Sequence, residues 1–499
     1  MPRRSQHPAI EAEQRLGPAK SPSRKRNNRL GRNTIGIRLE RKKDASLLNW
    51  NLKRSYPPEM IRVPIPVASR PCVQVGEVVQ IGQKIAVPTA TNCSEAEIGA
   101  VPTTINQKEI KGGAEPQESE GVSVHTGISG AVERITDFPS AMDAEIQMIE
   151  IRRQGEPKPL PAVEMRKGWA EIPAEELSKI FQDFGLVTTD PLMEPVHAKL
   201  RRHAGARTII INGCEPEPYI TCEQVLTMSH PVEILKGAEL LRKASGAEKI
   251  VFALEECNLE VIELIKSKIY FLKWEHAEVW SVPALYPQGL ECTLLQAWFS
   301  GKEKEAVVFP TSTAFAVYEA VALQKPYYER VVTVGGECVV EPRSLWLPIG
   351  ISFHDAIHAC KGVMREPQKV LMGGPMAGTA QRSAEVSVMA GTNAILALPK
   401  EVAKEEAEEP CIRCNLCVDQ CPVSLSPAMI TLAAERKEFA VAQEWNVANC
   451  MECGNCAYVC PSKRPMLQLI RLARELSKPA VPTPQAKENK SRGGDPWLK

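Results

Sequence analysis

The stretch PCIRCNLCVDQCP at residues 410–422 returns, in kind, as CMECGNCAYVCPSK at 450–463. Each holds Cys-x2-Cys-x2-Cys-x3-Cys-Pro: Cys411, Cys414, Cys417 and Cys421 before Pro422, then Cys450, Cys453, Cys456 and Cys460 before Pro461. This run binds [4Fe–4S] clusters in two-cluster ferredoxins, where the fourth cysteine ligates the other cluster. The spacing lets three thiolates wrap one face of a cubane, and the proline turns the chain away. One cluster is thereby assigned Cys411, Cys414, Cys417 and Cys460, and the other Cys450, Cys453, Cys456 and Cys421. A pair of structural zinc sites is the competing reading, since zinc also takes C-x2-C pairs. Zinc has no need of the complete run, and here the run occurs twice. Between the runs, Ser426 and Pro427 predict a helix start, with Leu425, Met429, Leu432 and Ala433 on its inward face. A second helix from near Pro465 is expected to turn Leu469, Leu472, Ala473 and Leu476 inward.

Working outward, the 499-residue chain has room for several domains, and 61 Lys plus Arg against 60 Asp plus Glu leaves a net charge of +1. That balance excludes a nucleic-acid binder working through bulk positive potential. No stretch approaches a membrane-spanning apolar run, and the first 32 residues lack the apolar core of a secretory signal. The expectation is a cytoplasmic chain. Eight of its 16 cysteines crowd into the two runs, which points to a metallocentre in a reducing compartment. The other eight are scattered, and read mostly as buried thiols.

Upstream the texture changes three times. Residues 1–45 form a basic stretch without apolar periodicity, expected to be a disordered tail, like 479–499. Residues 46–155 carry short Val/Ile strands with Gly turns, as in PCVQVGEVVQIGQKIAVP, and predict a barrel-sandwich domain with a long loop from 93 to 121. Its pattern is similar to the hammerhead of lipoyl and biotinyl carriers, but the turn HTGISG (125–130) offers no lysine to modify. Residues 170–325 alternate strands (207–212, 249–256, 277–282, 306–309) with helices (231–246, 259–268, 313–324), which predicts βαβ units and a mostly parallel, Rossmann-like sheet. Ligands bind such sheets beyond the strands' carboxyl ends, so the loop NGCEPEPY (212–219) is the candidate. Residues 326–400 look like a small β-grasp domain, and an acidic linker leads into the dicluster domain at 405–478. The fold class is thus multidomain α/β plus β.

In this order the segments resemble the RnfC family, from the Rnf complexes that act as ion-translocating NADH:ferredoxin oxidoreductases, over roughly residues 46–478. The carriers are SVHTGISGAV (123–132), INGCEPEPYITC (211–222), YPQGLE (286–291), ERVVTVGGE (329–337), VLMGGPMAG (370–378) and the two cysteine runs. Cobalamin reductases of bacterial microcompartments are similar in the nucleotide and cluster regions. The resemblance implies a βαβ domain of the complex I 51 kDa type, a β-grasp domain of the SLBB type and an α-helical two-cluster ferredoxin domain. It implies two [4Fe–4S] clusters, FMN and NADH, with Lys199, Glu215, Glu217 and Tyr219 as nucleotide contacts. It further implies other subunits of a membrane Rnf-type complex and ferredoxin or another redox protein as partners, with a peripheral place on the inner (cell) membrane and no span of its own.

The family's glycine-rich phosphate loop reads GLVTTDPLMEPVHAK at 185–199, with Thr188, Asp190 and Pro191 where glycines are expected. Pro191 removes an N–H donor, Asp190 adds negative charge, and the larger side chains close the approach. Leu290, Pro310 and Ser312 are further departures. Two readings follow: a subunit oxidising NADH through flavin, or a relay that moves electrons through its clusters without nucleotide chemistry. Under the second, Glu215 and Glu217 serve as helix caps or hold a backbone turn.

Overall fold

A computed structural model describes residues 36–43, 51–89, 121–142, 145–155, 165–299, 302–404 and 406–477. The expected tail at 479–499, most of the one at 1–45 and nearly all of the loop at 93–121 lie outside them.

Four short apolar runs form the central sheet: β1 (Thr208–Asn212), β2 (Lys249–Glu255), β3 (Ala277–Val282) and β4 (Ala306–Pro310). All neighbours are parallel, in the order β3-β2-β1-β4. The runs are continuously apolar because helices cover both faces, as a parallel sheet requires. On one face the helix Pro231–Ser245 crosses α2 (Thr311–Ala322) so closely that a β-carbon on Gly237 would fall 1.7 Å from the carbonyl oxygen of Ala314. Only glycine permits that crossing. The chain passes outward from β1 through β2 to β3 and then returns to the other side of β1. The switch point therefore lies between β1 and β4, flanked by α1 (Cys222–Ser229) and by the start of α2.

The leading segment makes a four-stranded antiparallel sheet around Met60–Pro64, Gly130–Pro139 and Glu145–Arg153, and a three-stranded one around Lys84–Pro88. Its core, with Ile61, Ile85, Ile149 and Ile151, runs without a break into Val332, Leu345, Phe353 and Ile395 of the next module. That module is a six-stranded mixed sheet around Glu329–Gly335, and it takes its outermost strand, Lys53–Arg54, from the leading segment. The core around the central sheet likewise extends to Trp346 and Leu396. Apolar burial of about 1.5–3 kcal/mol per large side chain thus joins segments whose textures differ in the sequence.

The basic stretch before residue 46 has a structured part. Residues 36–43 form a strap across the carboxyl ends of the central strands. Ile37 exchanges two backbone hydrogen bonds with Tyr286, both 2.8 Å, and the Tyr219 N–H donates to the Arg41 carbonyl at 2.9 Å. The expectation of a wholly disordered tail fails here because backbone pairing, which needs no apolar periodicity, holds the segment.

The last module packs short helices at Leu416–Asp419, Pro427–Glu435, Phe439–Glu444, Asn455–Tyr458 and Met466–Leu476. Pro427 opens its helix as expected, but the buried face is Ile430, Ala433 and Ala434 against Met466, Ile470 and Ala473. Met429, Leu432, Leu472 and Leu476 are exposed. Leu425, Ala433 and Ala473 are buried as expected, and Leu469 packs against the same cluster.

Candidate functional site

The two cysteine runs fold as copies of one another. Arg413 and Asn415 in the first, and Glu452 and Gly454 in the second, all lie in the left-handed region, as do Ser424 and Lys463 three residues after the fourth cysteines. Left-handed residues turn successive N–H groups toward one side, the geometry of an anion-binding nest. Cys450 Sγ accepts from the Glu452 N–H at 3.4 Å and Cys421 Sγ from the Leu425 N–H at 3.3 Å. Such donors suit a cluster's sulfurs and tune its potential.

Hydrogen bonds join each run to the end of the other. Ser462 Oγ donates to the Pro410 carbonyl at 2.9 Å, and the Glu409 N–H donates to the Ser462 carbonyl at 3.0 Å, which brings the end of the second run to the start of the first. Asn455 Nδ2 donates to the Gln420 carbonyl at 3.3 Å, setting Cys421 beside the second run. Cys421 lies within electrostatic reach of Cys450, Cys453 and Cys456, and Cys414 of Cys417. Burial pushes the Cys450 thiol up to about 11 and those of Cys453 and Cys456 to about 12. Thiolate there requires a compensating positive centre. Among the described residues no three His, Cys, Asp or Glu converge on the site of a single metal ion. Thiols in two matched runs, with N–H groups turned toward them, are a donor set that fits iron–sulfur clusters.

The two sites differ in surroundings. Cys411 and Cys414 are exposed, whereas Cys453 and Cys456 are buried. Tyr286 donates to the Cys453 carbonyl, Cys292 Sγ lies 3.5 Å from Met451 Sδ, and Ile37 and Met376 pack into the same apolar cluster. Glu452 is clamped by Arg471 and Arg474, each at 2.7 Å. The second site is thus pressed against the body of the molecule.

Of the four residues expected at the nucleotide, Glu215 lies at the start of α1, and all four are engaged within the protein. Both oxygens of Glu215 cap α1, accepting from the N–H groups of Glu223 at 2.9 Å and Gln224 at 3.0 Å. Glu217 accepts from Met376 and Ala377 N–H, both at 2.9 Å, and so seats the turn GGPMAG. Tyr219 Oη donates to Glu337 at 2.7 Å. Lys199, 1% exposed, pairs with Glu291 at 2.8 Å and lies over the Phe309 ring. Although burial lowers it, Glu291 and Asp190 hold its ammonium above the usual lysine range.

The loop at 188–191 is folded on itself. Asp190 accepts from Thr188 Oγ1 and from the Leu192 N–H, and Arg330 Nη1 donates to the Thr189 carbonyl at 2.9 Å. Thr189 Oγ1 lies 2.5 Å from Ser312 Oγ and 3.0 Å from Thr313 Oγ1. Sequence reasoning missed Glu223. Its carboxylate accepts from the Ser312 N–H at 2.7 Å and from the hydroxyls of Thr311 and Ser312. A flavin phosphate does not fit this arrangement, because the donors it would use are taken and the facing groups are acidic or bulky.

Family models match along the chain in the expected order: the Nuo51 FMN-binding domain at residues 183–321, the SLBB domain at 331–380 and the 4Fe-4S dicluster domain at 403–461. The chain is 30% identical over 428 residues to the C-type subunit of the proton-translocating ferredoxin:NAD(+) oxidoreductase complex of Clostridium ljungdahlii, spanning 82% of this chain and 92% of that protein. It is 29% identical over 432 residues to the Na(+)-translocating counterpart of Acetobacterium woodii, spanning 84% and 90%. Among solved structures, the NAD+-reducing [NiFe]-hydrogenase in the H2-reduced state matches with a TM-score of 0.43 and 16% identity, over 63% of each chain. No described helix is long and apolar enough to cross a membrane. With Nuo51-type, SLBB and dicluster domains in this order and relatives that align over nearly their whole length, the chain belongs to the RnfC family of the ion-translocating ferredoxin:NAD(+) oxidoreductase complexes.

Proposed function

We propose that this chain is the iron–sulfur electron-transfer subunit of an Rnf-type ion-translocating complex, relaying electrons between a redox protein such as ferredoxin and the other subunits. The observation that carries the reading is the pairing of two backbone-matched cysteine runs, each tied to the tail of the other. Cys411, Cys414, Cys417 and Cys460 hold the first cluster; Cys450, Cys453, Cys456 and Cys421 hold the second. When bound, [4Fe–4S] clusters take up and release one electron at a time. The protein's part is to hold the thiols, point N–H donors at them and exclude water with Ile430, Met466 and Ile470. Attachment at the cytoplasmic face of the membrane runs through the other subunits, as proposed from the relatives' place in ion-translocating complexes.

Anaerobic purification of the full chain tests this. About eight iron atoms per chain, and a low-temperature EPR signal of interacting clusters after dithionite, are expected for two neighbouring [4Fe–4S] centres. A colourless chain holding zinc would overturn the reading.

A further inference from the structure

The crevice at the switch point between β1 and β4 is where an open parallel sheet takes a phosphate-bearing ligand, because helix N-termini offer N–H donors and positive dipole ends there. Two helices present their N-termini to it, α1 after β1 and α2 after β4. Both are occupied from within. Glu215 takes the N–H groups of Glu223 and Gln224 at the start of α1. Glu223, itself carried on the first turn of α1, reaches across to the Ser312 N–H and the Thr311 and Ser312 hydroxyls at the start of α2. The two carboxylates work in series, the first fixing the helix from which the second extends.

The remaining approaches are closed as well. Thr189 bonds the Ser312 and Thr313 hydroxyls, so the loop that would arch over a phosphate is stitched to α2. From the other side the strap lays Lys43 on the Glu215 carbonyl at 2.8 Å and Arg41 on Glu255 at 2.6 Å. These cations are spent on the protein's own acceptors. An incoming phosphate would meet two carboxylates that already hold its donors.

We propose that this crevice is self-capped: the Glu223 carboxylate stands in for a ligand phosphate, and the chain binds neither FMN nor a dinucleotide there. Electrons consequently reach the clusters from a protein donor and not from NADH on this chain. The inference deepens the relay reading above and rests on it, yet the two fail separately, since iron content and EPR report the clusters while flavin and anion binding report the crevice.

The experiment uses the anaerobically purified full chain. Flavin released by acid is quantified, FMN binding is followed by equilibrium dialysis, and thermal unfolding is recorded with and without inorganic phosphate. The wild type is expected to release no flavin, retain none on dialysis and show an unfolding midpoint unmoved by phosphate. Glu223→Ala, which frees the seat on α2, is expected to unfold at lower temperature and to regain part of the loss with phosphate. One flavin per wild-type chain, FMN retention by the wild type, or a phosphate response equal in wild type and variant would overturn the proposal. So would a Glu223→Ala variant that folds and ignores phosphate. If Glu223→Ala does not fold, the wild-type measurements decide alone, absence of flavin and of FMN binding supporting self-capping.

Discussion

The Tyr286 hydroxyl donates to the carbonyl oxygen of Cys453 at 2.7 Å, joining the loop after β3 to the middle of the second cysteine run. Tyr286 is 1% exposed, and its backbone is paired with Ile37 of the strap. Strap, central sheet and second cluster site therefore meet at one side chain. Burial pushes the phenol far above its usual range, so the group remains a donor through alkaline pH.

Tyr286→Phe leaves the Cys453 carbonyl without this partner. The expected loss is about 1–3 kcal/mol, the cost of a buried polar group unpaired. Thermal unfolding measures it, and iron release to a chelator should quicken in the phase that belongs to the second site.

The exchange of fourth cysteines is tested by pairing variants. Cys421→Ala and Cys450→Ala should each halve the iron, to about four atoms per chain, and the double variant should lose no more, because both remove the same cluster. Cys421→Ala with Cys411→Ala should abolish nearly all of it. Iron counts in the reverse pattern would assign Cys421 to its own run.

Gly454 and Asn415 occupy matching places with φ of 75° and 61°, yet they answer differently to substitution. A β-carbon on Gly454 would lie 2.4 Å from the Met376 carbonyl oxygen. Gly454→Ala adds that clash to about 1–2 kcal/mol of left-handed strain, and the second cluster should be lost. Asn415→Gly should keep both clusters, as iron and EPR quantitation will show.

Much of this was written in the chain. The cysteine spacing, the apolar runs of β1 to β4 and the stops such as Gly246 are local signals, each decided by chemistry within a few residues. The central strands and helix Pro231–Ser245 accordingly fall within a residue or two of their expected bounds. What stayed hidden depends on distant partners. Lys53–Arg54 is a strand only because Arg343–Pro348 offers an edge, and residues 36–43 are ordered by pairing with Tyr286 and Tyr219. Glu223 carries no motif, and its role appears only when α1 and α2 stand side by side. The loss of glycines at 188–191 was legible, but not what fills their place.

Glu217 gives a pH dependence. Burial pushes its carboxyl up to about 7, against the pull of the Met376 and Ala377 N–H donors. Between the ordinary glutamate value of 4.5 and about 7 the folded chain keeps a proton that the unfolded chain has released, so stability falls as pH rises through that window and levels off above it. Glu217→Gln should remove this slope. Unfolding midpoints of both proteins across the same range check it, and parallel curves would place the titration elsewhere.

The crossing of the two cysteine runs also imposes a sequence of events on biosynthesis. On the ribosome Cys411, Cys414 and Cys417 emerge first, but their proposed fourth partner, Cys460, follows only after the whole of the other run. The second cube has its four thiols once Cys456 is made, but the first stays one short until Cys460 is added. Metal loading must wait for a nearly finished chain, and a nascent fragment ending before residue 460 would give the cell's cluster-delivery machinery an incomplete receptacle.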